Sequence, residues 1–108
     1  MNKTLLLAAL CVITAVATTQ AADVKAIWDK DCAKCHGADG KGDTKMGKKL
    51  EVKDYTDAKV QAAMKDDEMA KIIKQGKKDG DKTKMKAFAD LSDTDVKALV
   101  AHVRSMKK

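Results

Sequence analysis

The stretch Asp31–Asp43, "DCAKCHGADGKGD", places two cysteines and a histidine within five positions and follows them with three glycines. Cys32, Cys35 and His36 carry side chains that act as ligands or nucleophiles, and His36 is one of two histidines in the chain. The glycines favour a sharp turn after His36, because glycine adopts backbone conformations that other residues avoid. The clustering indicates a binding site, and the rest of the sequence limits what it binds.

The N-terminal residues have the layout of an export signal. Lys3 supplies a positive charge, an apolar run follows from Leu5 to Ala17, and small and polar residues come next. This run is shorter than the roughly 20 residues of a membrane-spanning helix. We therefore predict a cleaved secretory signal at 1–21, with cleavage after residue 22 as the alternative, and one domain at 22–108. An uncleaved anchor and a lipid anchor at Cys11 are less consistent with the pattern, since large Leu10 precedes that cysteine.

The domain contains few large apolar side chains that could form a hydrophobic core. Its only aromatic residues are Trp28, Tyr55 and Phe88, and charged residues make up 35% of the chain. A domain this small buries a limited share of its surface and often needs a disulfide, a metal or a cofactor. We expect a bound group to supply part of the apolar interior.

Apolar residues recur at helical spacing in four segments, which predicts an all-α domain of about four short helices. The last helix has the clearest start, with Ser92 as its N-cap and acidic residues in its first turn. No alternating strand pattern stands out, and 37–54 and 76–90 are expected to be long loops. The apolar positions are Val24, Ile27 and Trp28; Val60, Ala63 and Met64; Met69, Ile72 and Ile73; and Val96, Leu99, Val100 and Val103.

Three kinds of site are consistent with Cys-x-x-Cys-His. A thioredoxin-like redox pair needs a neighbouring β-α-β unit, and no strand precedes Cys32. A zinc site needs four ligands, and adjacent Cys35 and His36 fit one tetrahedron poorly. Covalent haem attachment is the interpretation that the motif favours, because two thiols three apart can each join one haem vinyl group. The histidine that follows is then held beside the iron as an axial ligand.

The whole of 22–108 resembles the class I c-type cytochromes, small soluble bacterial proteins with one haem. The likeness is carried by the segments "AIWDKDCAKCHGADGKGD", "MAKIIKQGKKDG" and "KMKAFADLSDTDVKALVAHVRSM". The resemblance implies a cytochrome c fold, in which short helices wrap around one covalently bound haem c and the first and last helices cross. Cys32 and Cys35 would then form the thioethers, and His36 would bind the iron.

The resemblance also implies a methionine as the second iron ligand, which raises the reduction potential. The family's ligand lies in a Met-Pro-x-Phe-like stretch before the last helix, where this chain has "MKAF" with Lys86 in place of proline. We therefore predict Met85 as the second ligand and keep Met46 as the alternative. Met64 and Met69 are expected to pack in the core, Met106 to pack or fray at the end of the last helix, and His102 to pack near Trp28 or to lie partly exposed.

The function implied is a soluble periplasmic electron carrier whose iron alternates between the ferrous and ferric states. We do not expect an enzyme, because no proton-transfer group or open coordination site is predicted. Two alternatives stay open: a haem c subunit of a larger oxidoreductase complex, and a gas-binding haem sensor with a displaceable sixth ligand. We expect a monomer without stable membrane insertion. Nucleic-acid binding is not expected, because aromatic residues are not interleaved with the basic ones.

Positive charge is concentrated in two segments of the domain. Residues 41–53 carry five lysines against two acidic residues, and residues 74–86 carry six lysines against two. The net charge of the whole chain is +6. In the resembled fold these segments border the haem, so we expect redox partners with acidic docking patches.

Overall fold

The computed structural model describes Val12 and residues 23–108. The predicted signal at 1–21, apart from Val12, and its alternative boundary at residue 22 lie outside the described residues. In the part that is described, no helix combines the length and the apolar character needed to cross a membrane.

The first helical run reaches from residue 24 to residue 36 in three parts: α1 (Val24–Ile27), a π-helical turn (Trp28–Cys32) and α2 (Ala33–His36). The Asp23 carboxylate caps its start by accepting hydrogen bonds from the backbone N–H groups of the first turn. Gly37 ends it with a φ of +81°, a conformation that a residue with a side chain would adopt only under strain. Cys32, Cys35 and His36 therefore all lie on this one short helical run.

A short helix, α3 (Lys45–Leu50), lies directly against the end of this run. Thr44 joins the two, since its hydroxyl donates to the Cys35 carbonyl at 2.8 Å and accepts from the Gly47 N–H at 2.8 Å. Gly47 has no room for a side chain, because a Cβ there would collide with the carbonyl oxygens of Cys35 and Gly42. The prediction of an uninterrupted loop over 37–54 is therefore wrong.

Two helices and a hairpin follow: α4 (Ala58–Ala63), α5 (Asp66–Gln75), β1 (Lys77–Asp79) and β2 (Lys82–Met85). The strands pair antiparallel, with Lys77 opposite Met85 and a bulge between Lys77 and Lys78. The prediction that 76–90 is entirely loop is wrong as well. Strand β1 is exposed along its length and carries no alternating pattern, so the hairpin depends on backbone pairing that the sequence does not show.

The last helix, α6 (Asp93–Ser105), packs against the first run and forms the core with it. Its N-cap is Ser92, as predicted, whose hydroxyl accepts from the Asp95 N–H at 3.1 Å. Trp28, Leu99 and Val103 are the centre of the core and are at most 6% exposed. The prediction of an all-α domain of short helices is confirmed, since most of the described elements are helical.

A buried polar network ties α6 to α4 and α5. Gln61 is 4% exposed, and its side-chain nitrogen donates to the carbonyls of Tyr55, at 2.7 Å, and Val103, at 2.8 Å. The Arg104 guanidinium donates to the Gln61 side chain at 3.1 Å, to the Met64 carbonyl at 2.7 Å and to the Asp66 carboxylate at 2.8 Å. Gln61 thus links the Tyr55 carbonyl to the Val103 carbonyl, which also accepts from the Met106 N–H at 3.1 Å.

Replacing Gln61 by methionine should lower the free energy of unfolding by about 1–3 kcal/mol, because the Tyr55 carbonyl loses its Gln61 donor and the bonds from Gln61 to Val103 and from Arg104 to Gln61 are removed. Chemical denaturation of the holoprotein, followed by circular dichroism, measures the change. The matched control is Gln75→Met, since Gln75 is exposed at the end of α5. Equal stability of the two variants would contradict a structural role for Gln61.

Candidate functional site

A cavity of about 970 Å³ lies among the first helical run, α3, α5 and the hairpin. This volume is near the upper end of the roughly 300–1,000 Å³ typical of ligand pockets. Much of its wall is apolar, with contributions from Leu50, Val52, Ile72, Ile73, Phe88 and Leu91. A smaller cavity of about 530 Å³ between α5 and α6 contains no cysteine, histidine or methionine in its lining.

The larger cavity brings together every residue that the sequence assigned to the site. Cys32, Cys35 and His36 line it from the first helical run, and Met85 lines it from the end of β2. Met46, the alternative ligand, also lines it, as do Met64 and Met69. Met106 does not line it and packs instead against Gly40 and the core.

His36 is held among aromatic rings. The Tyr55 ring stacks on the imidazole with centroids 5.2 Å apart, and the Trp28 ring lies 5.6 Å away. Burial lowers the pKa of His36, which favours the neutral form that binds metals. Its Nδ1 atom is buried without a hydrogen-bond partner among the described residues. We did not predict a role for Tyr55 from the sequence; the one available signal was that Tyr55 is one of only three aromatic residues in the chain.

Trp28 connects the site to the core. Its indole Nε1 donates to the carbonyl of Gly37, the residue after His36, at 3.0 Å. Its ring also lies 5.3 Å from the ring of His102, which confirms the prediction that His102 packs near Trp28. The backbone on the C-terminal side of His36 is therefore anchored through a residue that is itself 3% exposed.

The two cysteines are free and half-buried. Burial raises the pKa of the Cys32 thiol to about 11, with smaller contributions from the charges of Asp31 and Cys35. A redox-active pair instead contains a thiol with a lowered pKa. Within the described residues, no group of three or more histidine, cysteine or acidic side chains could hold a metal ion. These observations disfavour the thioredoxin-like and zinc interpretations.

The residues that surround the cavity suit a covalently attached haem. Two thiols and a neutral imidazole stand at one side of an apolar space, and a methionine thioether lies on the wall. The fully buried apolar side chains of the described chain are few: Trp28, Val96, Leu99, Val100 and Val103. Many other apolar residues are half-buried around the cavity. A large apolar group bound there would complete their burial. Because the buried Nδ1 of His36 has no hydrogen-bond partner among the described residues, hydrogen bonding within the protein does not explain why this imidazole is buried, and binding of a cofactor does.

Comparison with known proteins leads to the same class. The family model described as cytochrome c oxidase, cbb3-type, subunit III matches residues 19–103. A solved structure named KustC0563 c-type cytochrome is 32% identical and superposes with a TM-score of 0.70, covering 81% of this chain and 100% of that one. No curated protein matches the chain.

Fold, site and comparisons together define a c-type cytochrome. Because the family model spans most of its length, this chain belongs to the family of cytochrome c domains described as cytochrome c oxidase, cbb3-type, subunit III. The resemblance to small class I c-type cytochromes and the predicted fold class are confirmed. Membership also implies covalently bound haem c and a role in haem-based electron transfer.

Proposed function

We propose that this chain is a periplasmic electron carrier with a single covalently attached haem, and that it is not an enzyme on its own. The observation that carries the proposal is that Cys32, Cys35, His36 and Met85 line one cavity, although Met85 is 49 residues beyond His36. The signal-like N-terminus supports export, and the single Cys-x-x-Cys-His motif supports one haem.

When bound, haem c supplies a one-electron couple between Fe(II) and Fe(III). Cys32 and Cys35 would hold it through thioether bonds, and His36 and Met85 would be the axial ligands. The aromatic contacts of Trp28 and Tyr55 restrict the orientation of the imidazole, while the apolar wall excludes water. If His36 and Met85 both bind the iron, no coordination position would be left for a substrate, and this favours a carrier over an enzyme or a gas sensor.

A second candidate function is a haem c subunit within a larger oxidoreductase. The description of the matching family, cytochrome c oxidase, cbb3-type, subunit III, is the observation that favours it. Purification from native membranes and periplasm under mild conditions separates the two. A carrier should be recovered by itself in the periplasmic fraction, whereas a subunit should co-purify with further chains.

Covalent attachment is tested on a denaturing gel stained for haem peroxidase activity. The mature chain should give a haem-positive band, and Cys32→Ala or Cys35→Ala should sharply reduce the yield of holoprotein, because the interior depends on the cofactor. Cys11→Ala is the matched control, since that cysteine lies in the predicted signal and should not affect the stain. Complete extraction of haem by acidified acetone would rule out thioether attachment.

Met85→Ala should retain covalent haem, lower the reduction potential and open the iron to external ligands. Imidazole affinity of the ferric protein should rise about tenfold or more, because a ligand no longer has to displace the methionine sulfur. Met46→Ala and Met69→Ala are the controls, since both side chains line the same cavity. If the ligand-field absorption band of the ferric protein is unaltered in Met85→Ala and lost in Met46→Ala, the second iron ligand is Met46 and not Met85.

The rim of the cavity is basic. Eight lysines line it against four acidic residues: Lys30, Lys34, Lys53, Lys65, Lys77, Lys78, Lys84 and Lys86 against Asp31, Glu51, Glu68 and Asp79. Lys48, Lys49 and Lys82, which the charge pattern also suggested, are not part of this lining, and Lys48 pairs with Asp43 at 3.0 Å. This distribution supports docking of an acidic redox partner at the cavity mouth, with the hairpin lysines as its main contributors.

The electron-transfer rate to an acidic redox protein should fall roughly tenfold or more as ionic strength rises, because salt screens the attraction that steers the two proteins together. Lys77→Gln, Lys78→Gln and Lys86→Gln should each lower the rate at low salt. Lys107→Gln is the control, because Lys107 is exposed and does not line the cavity. Stopped-flow measurements across ionic strengths give the rates, and a rate indifferent to both salt and these changes would exclude the docking surface.

A further inference from the structure

The segment that carries Met85 into the last helix has little burial of its own. We call residues 85–91 the Met85 segment. Four of its seven residues are exposed, namely Lys86, Ala87, Ala89 and Asp90. Lys86 stands where a proline would fix the φ angle and stiffen the backbone. A loop with few buried contacts opens easily unless specific interactions hold it.

The C-terminal end of α5 provides such interactions through its backbone. The Phe88 N–H donates to the Ile73 carbonyl at 2.9 Å. Gly76 lies so close to the segment that a Cβ on it would be 2.6 Å from the Met85 carbonyl oxygen and 2.8 Å from the Ala87 nitrogen. The first half of the Met85 segment is therefore placed directly on the last turn of α5.

A side chain from the same turn also contacts the second half, whose Leu91 packs against the core as well. The Lys74 ammonium donates to the Leu91 carbonyl at 2.7 Å and pairs with the Asp93 carboxylate at 3.1 Å. The Lys74 side chain is 32% exposed, whereas that of Asp93 is 89% exposed. An ion pair with so exposed a partner contributes little, whereas a hydrogen bond from a charged donor to a carbonyl is among the stronger kinds. The bond to Leu91 is the contact that matters.

We propose that Lys74 is a positioning residue for the axial methionine: by holding Leu91 on α5, it keeps the Met85 segment closed and the Met85 sulfur at the cavity. This inference rests on the proposed function, since it takes Met85 as an iron ligand. It explains how a chain with lysine at position 86 places that ligand without the stiffness of a proline. The constraint comes from the neighbouring helix instead of from the segment itself.

The test is imidazole titration of the ferric holoprotein, which reports how often the segment opens. Lys74→Met should bind imidazole roughly tenfold more tightly, because loss of a charge-assisted hydrogen bond raises the population with Met85 released. Lys74→Arg should stay close to the parent, since arginine can still donate to Leu91. The matched control is Lys71→Met, one turn earlier on α5, where Lys71 is exposed. Asp93→Asn should change the affinity little.

A second readout does not depend on iron ligation. Amide hydrogen exchange of Phe88 should be accelerated about tenfold in Lys74→Met, because its N–H is protected only while the segment lies on α5. Either unchanged exchange of the Phe88 amide or unchanged imidazole affinity in Lys74→Met would overturn the inference.

The Met85→Ala background separates the two proposals. If Met85 is the ligand, this change alone tightens imidazole binding, and adding Lys74→Met then has no further effect, a non-additivity expected for residues that act together. Parent-like imidazole affinity in Met85→Ala would refute the ligand assignment and the inference with it. Tight binding in Met85→Ala beside parent-like binding in Lys74→Met would refute only the role of Lys74.

Discussion

The hydrogen bond from the Trp28 indole to the Gly37 carbonyl, 3.0 Å long, joins the two halves of this molecule. On one side Trp28 packs with Leu99 and Val103 in a core that is small even for a short domain. On the other it anchors the backbone immediately after His36. A donor buried this deeply must find an acceptor, and the acceptor it finds is at the site. A displacement of α6 would therefore move Trp28 and, through this hydrogen bond, the backbone next to His36.

The features that could be read from the sequence are those with a local or periodic signature. The apolar spacing of Val96, Leu99 and Val103 predicted α6 and its buried face correctly, because burial alone determines that pattern. The short helix α3 was not predicted, since "KMGKKL" has only Met46 and Leu50 as an apolar pair and contains Gly47, which is disfavoured in helices. That glycine is needed for close approach to the Cys35 carbonyl, a contact that no local rule reveals. The hairpin was missed for a related reason, since both strands are polar and mostly exposed.

At the site, the sequence predicted which residues line the cavity, but it did not predict the contacts that hold those residues in place. The spacing of Cys32, Cys35 and His36 has a chemical meaning by itself, and all three lie on one short helical run. The stacking of Tyr55 on His36 joins residues 19 positions apart, and the bond from Lys74 to Leu91 joins residues 17 apart. Such contacts depend on how the elements pack, so they become visible only in three dimensions. The second ligand is an intermediate case, because five methionines were available and only resemblance to a family favoured one of them.

The position of α6 in the core has a consequence for maturation. Trp28 is buried by Leu99 and Val103, which lie more than 60 residues further along the chain. Because the N-terminus is synthesised first, both cysteine thiols are exposed well before α6, the helix that completes the core, has been synthesised. Contacts of such long sequence separation form slowly, because the intervening chain must first be closed into a loop. The fold thus leaves an interval in which the thiols are accessible, and a modifying enzyme that acts on unfolded protein would find its target open during that interval.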